Sequence, residues 1–392
     1  MMNKINTLIN RIKNNEYKLI IRSILLRIIP ASLDDILPIP QSYSFFLVGT
    51  HGVGYHSLLY YISKCTTPPY IKKHNNILPL TLIALHKEYL DNKRALRIYW
   101  ELFRGYGYGA WGVTLDGYNK DIQEYLNRHF KKQAPAICLV RDPILAIVSA
   151  INHTIYTNIT KNKINDLKDC INIINDDRFM FSVIGFTSNV NMIKDKITDI
   201  KFIDTAMLKG EIAKSTMHDI AKHINIKASD DNAVYINVND IFTRSFPHLF
   251  YIDGIEFMVS PFDDDFSVFD IQKNIYNKLD SRFYITKNYI SKKFKNRKLN
   301  ISSKEKIQIN DNLLNEINKK VEQYLYEVIK IENIYNKYKI DIEILFRYFK
   351  HNPNVYKKIK SFLEHETSII KEKSSHIFQN WLEYKKFLEI ES

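Results

Sequence analysis

Cysteine is scarce in this chain: Cys65, Cys138 and Cys170 are the only three in 392 residues. They lie far apart and lack metal-ligand spacing. That argues against a disulfide framework or a zinc site and for a reducing, cytoplasmic setting. Each reads as a small buried residue rather than a nucleophile. Long apolar runs are missing too. No stretch reaches the roughly 20 residues a membrane-crossing helix needs, and no cleavable signal peptide is visible, so a chain without a membrane span is expected. No recognised nucleic-acid motif is present, so specific nucleic-acid binding is not implied. No internal repeat or low-complexity linker stands out.

What is abundant is apolar and basic. Hydrophobic residues make up 45% of the chain and aromatics 13%, enough for a real core, and the length allows two or three domains. The net charge of +13 favours anionic partners: a nucleotide, an anionic polymer or a membrane surface.

The stretch from Tyr43 to Ile62 organises the rest. Phe45 to Val48 is short and apolar, as in a buried strand. A turn with Gly49, Gly52 and Gly54 follows, and then Leu58, Leu59, Tyr61 and Ile62 recur at helical spacing. Strand, glycine turn and helix together present backbone N–H groups and a helix dipole to a phosphate. Gly49 and Gly54 keep the spacing of the nucleoside-triphosphate loop, but Tyr55 and His56 stand where Lys and Ser/Thr belong. An ordinary NTPase or kinase is therefore not expected. A strand–helix turn that needs glycine only for its backbone angles would leave the same pattern, and both readings stay open.

A second stretch runs from Ala136 to His153. Ala136 to Val140 reads as a buried strand, with Asp142 as the N-cap and Pro143 at the first position of a helix. Arg141 then sits at the carboxyl end of a strand, where open α/β sheets bind ligands. Ser149 lies about two helical turns further on. An arginine fork and a serine hydroxyl at these places could grip a phosphate; alternatively Arg141 pairs with a nearby carboxylate and Ser149 merely packs.

Elsewhere the signals are coarser. Residues 1–38 are basic and amphipathic, reading as a helix that packs on the body or lies on an anionic membrane surface. The runs Ile77–Leu85 and Leu96–Phe103 are of ambiguous class. Gly105 to Gly112 reads as a mobile aromatic loop. Ala233–Val238 and His248–Ile252 alternate like strands, and Asp253-Gly254 signals a hairpin. Asp263, Asp264 and Asp265 read as a solvated acidic loop rather than a metal site, and no metal is expected. Residues 267–392 show helical periodicity, as at Leu313, Ile317, Val321, Leu325 and Val328.

The strand, the Arg141-Asp142-Pro143 turn and a serine eight residues after the arginine resemble the 3′-phosphate-binding motif of sulfotransferases that use 3′-phosphoadenosine-5′-phosphosulfate (PAPS). The loop from Gly49 to Leu58 is similar to the 5′-phosphosulfate loop of that family, with Gly54 as its central glycine. Asp199 to Leu208 resembles its late strand and turn, followed by a helix ending near Asn225-Ile226. The resemblance implies a three-layer α/β sandwich with a central parallel sheet over residues 39–262, followed by a mainly helical region over 263–392. It implies that Gly52, Val53, Gly54, Tyr55, His56 and Ser57 hold the 5′-phosphate through their backbone, and that Arg141 and Ser149 hold the 3′-phosphate. The family lysine is replaced by Gly52, so His51 or His56 would supply the catalytic positive charge, and the late Arg-Lys-Gly stretch is absent. The general base is not identified; His86 and Glu101 lie in the right segment. The chain also looks like uncharacterised proteins of capsule and surface-polysaccharide loci in epsilon-proteobacteria. That implies a glycan acceptor and a cytoplasmic enzyme peripheral to the inner membrane. Two alternatives keep the fold: transfer of another phosphate-bearing group to a capsular sugar, or a non-catalytic protein.

Overall fold

The apolar run at the start of the glycine turn forms strand β1 (Tyr43–Gly49), and the periodic segment after the turn forms helix α1 (Tyr55–Ser63). This computed structural model describes residues 41–63, 111–116, 120–163, 169–235, 245–246, 248–261, 284–291 and 297–390. It also describes strand pieces at 72–73, 76–77 and 81–85 and single residues at 21, 24, 39 and 65. Strands β2 (Lys72–Lys73) and β3 (Asn76–Ile77) pair with each other. Strand β4 (Thr81–Leu85), strand β5 (Trp111–Asp116), helix α2 (Lys120–His129), strand β6 (Ala134–Val140) and helix α3 (Pro143–Thr160) follow. Next come helices α4 (Asp177–Ile184) and α5 (Phe186–Ile193), strand β7 (Ile197–Asp204), a 3-10 turn at Thr205–Leu208 and helix α6 (Ile212–His223).

The protein is an α/β structure. Five strands form one sheet in the order β4-β5-β1-β6-β7, and every neighbouring pair is parallel. Strands β1 and β6 are buried almost throughout, so both their faces are covered, as parallel sheets require. Helix α5 lies against both. After β1 the chain runs to one edge of the sheet, and after β5 it passes β1 to build the other side. The carboxyl ends of β1 and β6 thus border a switch point, the usual ligand crevice of such sheets.

The hairpin at Asp253-Gly254 is present between β8 (His248–Ile252) and β9 (Ile255–Pro261). Both turn residues have positive φ, 49° and 80°, as a tight two-residue hairpin demands. Two further strands, β10 (Tyr284–Ser291) and β11 (Arg297–Ser303), complete a four-stranded antiparallel sheet. They correct the helical reading of 267–392, since Leu299 and Ile301 are buried on one face with the period of two that marks a strand. Ala233–Val238 is also corrected where it is described: Asn232–Tyr235 is a 3-10 turn. Trp111 and Gly112 belong to β5 rather than to a loop, while Gly105 to Ala110 lie outside the described residues. So do His86, Glu101 and Asp263 to Asp265.

The carboxyl-terminal helices are α7 (Asp311–Tyr338), α8 (Ile342–His351), α9 (Pro353–Glu366), α10 (Ser368–Lys373), α11 (Ser375–Gln379) and α12 (Leu382–Leu388). Ile317, Val321 and Leu325 of α7 seal the antiparallel sheet. Beyond it, Leu345, Phe349, Tyr356, Trp381 and Phe387 join the same hydrophobic core as β1 and β6. Polar clamps fix this docking. The Asn152 side chain bonds both the N–H and the carbonyl of Ile340, at 2.8 and 2.9 Å. The buried Glu366 carboxylate accepts the Ser188 hydroxyl at 2.6 Å and the Ser188 N–H at 3.0 Å. Among the described residues no helix is long and apolar enough to cross a membrane. Glu366→Ala strips Ser188 of both partners. It is expected to cost about 1–3 kcal/mol, read as a lower denaturant midpoint; an unchanged midpoint would show that the clamp adds nothing.

Candidate functional site

The glycine turn is held open by geometry that only glycine satisfies. Gly52 and Gly54 have φ of 85° and 77°. A Cβ on Gly52 would lie 2.8 Å from the Ala146 carbonyl oxygen, and one on Gly54 would lie 2.8 Å from Thr205 Cγ2. The turn therefore rests on helix α3 on one side and on the end of β7 on the other. Among the described residues, the N–H groups of Gly52, Val53 and Gly54 make no backbone hydrogen bond. Those of His51 and Ser57 are engaged, with Ser182 O at 2.7 Å and Gly54 O at 3.0 Å. Of the expected Gly52–Ser57 cradle, the Ser57 N–H thus closes the first turn of α1 instead.

The side chains of the turn diverge. Tyr55, in the place of the nucleotide-loop lysine, points inward and donates its hydroxyl to Leu47 O at 3.0 Å. Its ring lies so close over Gly49 that a Cβ there would be 2.1 Å from Tyr55 Cδ2. Only its backbone is left for a ligand. Val53 is fully buried, and His51 is exposed. His56 is in the first turn of α1, and its side chain lies outside the description.

Arg141 follows β6 and donates Nη1 to the Gly52 carbonyl at 2.7 Å. Parallel pairing sets this up: β6 lies beside β1, so the end of β6 reaches the turn that leaves β1. Burial lowers the Arg141 pKa, while the charges of Asp204 and Asp142 raise it. A guanidinium carries five N–H donors, so the contact with Gly52 leaves others for an anion. Ser149 is half-buried on α3, one turn after Ala146 and next to Ala150, the two residues that Gly52 abuts. The structure thus brings the turn and Arg141 together at one end of the sheet and places Ser149 on the helix that the turn rests on.

Both neighbouring carboxylates are committed elsewhere. Asp142 caps α3 by accepting from Ile144 N at 2.9 Å. Its second oxygen accepts from Glu383 N and Tyr384 N, at 3.0 Å each. Burial pushes the Asp142 carboxyl above its usual range, against the pull of backbone donors led by Tyr384. Asp204 accepts from Ala206 N at 2.8 Å and from the Trp381 indole at 2.7 Å. Thr205 Oγ1 bonds Val53 O, and it lies 3.0 Å from Val140 O.

Two further residues belong to this region, Thr50 in the turn and Asn189 against it. Asn189 donates to Gly49 O at 3.2 Å, while its own side-chain oxygen and the Thr50 hydroxyl are buried without a partner. Unsatisfied buried groups are uncommon and tend to collect at functional sites. Sequence reasoning missed Thr205, Asn189 and Trp381 as site residues. Thr205 follows a recognisable strand, whereas Trp381 carries no local signal.

Residues 202–391 match a family model described as a protein of unknown function (DUF2972). The match takes in Asp204, Thr205 and Trp381 and leaves out the glycine turn and Arg141. Neither curated proteins nor solved structures yield a match.

Gly52→Ala forces a side chain into a left-handed conformation and against the Ala146 carbonyl. A loss of at least about 1–2 kcal/mol is expected, measured by equilibrium unfolding. A variant as stable as the wild type would mean that the turn does not rest on α3 as described.

Proposed function

We propose that the protein is a transferase that binds a 3′-phosphoadenosine-type donor across the ends of β1 and β6 and moves a sulfuryl group to a glycan hydroxyl. The observation that carries this reading is the Arg141–Gly52 hydrogen bond, which ties the arginine to the glycine turn. A ligand with two phosphates, one on each element, fits that arrangement. The cradle leaves no room for a side chain at Gly52 or Gly54 and offers backbone donors at the start of a helix.

In this reading the backbone from Gly52 to His56 holds the 5′-phosphate, and Arg141 with Ser149 holds the 3′-phosphate. The acceptor oxygen attacks sulfur in line, the bond from sulfur to the 5′-phosphate oxygen breaks, and the acceptor proton leaves to a base. The chain provides orientation and positive charge at the departing oxygen, where preorganised donors have most effect. With Tyr55 turned inward, that charge falls to His51 or His56. The inward Tyr55 also favours a second reading, a protein that binds the donor without turning it over.

The reading places the protein in the cytoplasm, in keeping with three buried cysteines that form no disulfide. Exposed Ile21 and Ile24 in the basic amino-terminal segment favour contact with an anionic membrane surface.

Adenosine 3′,5′-bisphosphate is expected to raise thermal stability more than 5′-AMP does. Ligand at 100 times its dissociation constant adds about 2.7 kcal/mol. Arg141→Ala should abolish most of the difference. Equal stabilisation by the two nucleotides, or a preference that survives the substitution, would overturn the reading. For turnover of PAPS with a surface glycan, His51→Ala or His56→Ala is expected to lower the rate by about 10²–10³ with little change in donor affinity. Full activity in both variants would remove the histidines from the mechanism. Donor binding with no turnover in the wild type would select the second reading.

A further inference from the structure

The carboxylates beside Arg141 pose an electrostatic problem for any anion site. Register places Val140 opposite Asp204, so Arg141 leaves β6 at the level where Asp204 ends β7. Asp142 is its next neighbour in the chain. The charges of both act on the guanidinium, that of Asp204 more strongly. A half-buried arginine flanked in this way has an ion pair with one of the carboxylates as its natural alternative. Among the described residues it forms an ion pair with neither.

The reason lies in one short segment far along the chain. Trp381 is 2% exposed, and its ring packs against Phe186, Phe378 and Tyr384. From that fixed position its indole N–H, which can only donate, bonds one Asp204 oxygen. Ala206 N takes the other oxygen. Glu383 N and Tyr384 N both donate to the Asp142 oxygen that does not cap α3. Residues 381–384 thus hold both carboxylates by neutral donors and leave the guanidinium to the glycine turn.

We propose that Trp381 is a positioning residue for this site: by holding the Asp204 carboxylate it keeps the Arg141 guanidinium available to a 3′-phosphate. The inference rests on the reading of Arg141 as a phosphate ligand. Its converse also holds. Occupation of Arg141 by an anion and docking of residues 381–384 support each other, because a coupling between two sites is reciprocal.

The test measures binding of adenosine 3′,5′-bisphosphate and of 5′-AMP to the full chain by calorimetry. Trp381→Phe keeps the ring in the core and removes the N–H. Asp204 is then free to pair with Arg141, and affinity for the bisphosphate is expected to fall roughly five- to tenfold, while 5′-AMP binds as before. In Trp381→Phe with Asp204→Asn the competing charge is gone, and bisphosphate affinity returns to within about twofold of the wild type. A purely structural role for Trp381 would give no such rescue. Asp204→Asn alone is expected to bind the bisphosphate at least as tightly as the wild type. It keeps the test decisive if Trp381→Phe fails to fold, since a tenfold loss there would show that Asp204 serves the site rather than competes with it. Wild-type protein that prefers the bisphosphate, with Trp381→Phe unchanged or its loss not rescued, overturns this inference alone. Wild-type protein without that preference overturns the reading of Arg141 beneath it.

Discussion

The hydrogen bond from Arg141 to the Gly52 carbonyl fixes the turn after β1 against the end of β6, and most of the site follows from it. The Gly52 carbonyl faces the arginine from a backbone that turns through left-handed angles at Gly52 and Gly54. Those angles place the turn so close to Ala146 and Thr205 that no side chain fits. The same turn leaves N–H groups uncommitted at the start of α1. Tyr55 then swings its ring beneath the turn and ends on Leu47, so the first residue of the helix locks the strand that precedes it. Removing the arginine would loosen this arrangement as well as the charge.

The carboxyl-terminal helices complete the α/β core. Phe349, Tyr356 and Phe387 are buried in one cluster with Leu47 and Ile137, and the Asn152 and Glu366 clamps hold that packing in register. Burial of this kind supplies non-directional stability. The clamps supply direction, because a buried carboxylate left without its donors is costly. The family match begins inside β7 and ends after α12, so its span takes in both a strand of the parallel sheet and the carboxyl-terminal helices.

Local chemistry was readable where neighbours in sequence decide the structure. Asp142 and Pro143 announced the start of α3, Asp253-Gly254 announced its hairpin, and both lie where expected. The turn at Gly49 to Gly54 was recognisable for the same reason. What escaped depended on distant partners. β10 and β11 lie in a stretch rich in lysine and asparagine, and the alternation of Leu299 and Ile301 is too short to outweigh the helical period that follows. Tyr55 stands in a lysine position, where the sequence shows only that the lysine is missing. Its inward course depends on the space over Gly49 and on the Leu47 carbonyl. Trp381 reaches Asp204 across 177 positions, and no pattern in either segment names the other.

Charge balance joins these observations. Strand ends in a parallel sheet collect polar residues, and here they collect Arg141 between Asp142 and Asp204. An arginine between two carboxylates stays open to another partner when other donors hold those carboxylates in place. Backbone amides and an indole are such groups, and both kinds come from residues 381–384. They hold an oxygen of each carboxylate in a hydrogen bond, and the guanidinium keeps its bond to Gly52 and its remaining donors. The unsatisfied Thr50 hydroxyl lies in the same turn, and the Asn189 oxygen belongs to the side chain that bonds Gly49 O. A site of this construction depends on the whole chain: the glycine turn fixes its shape, and the last helices fix its charge.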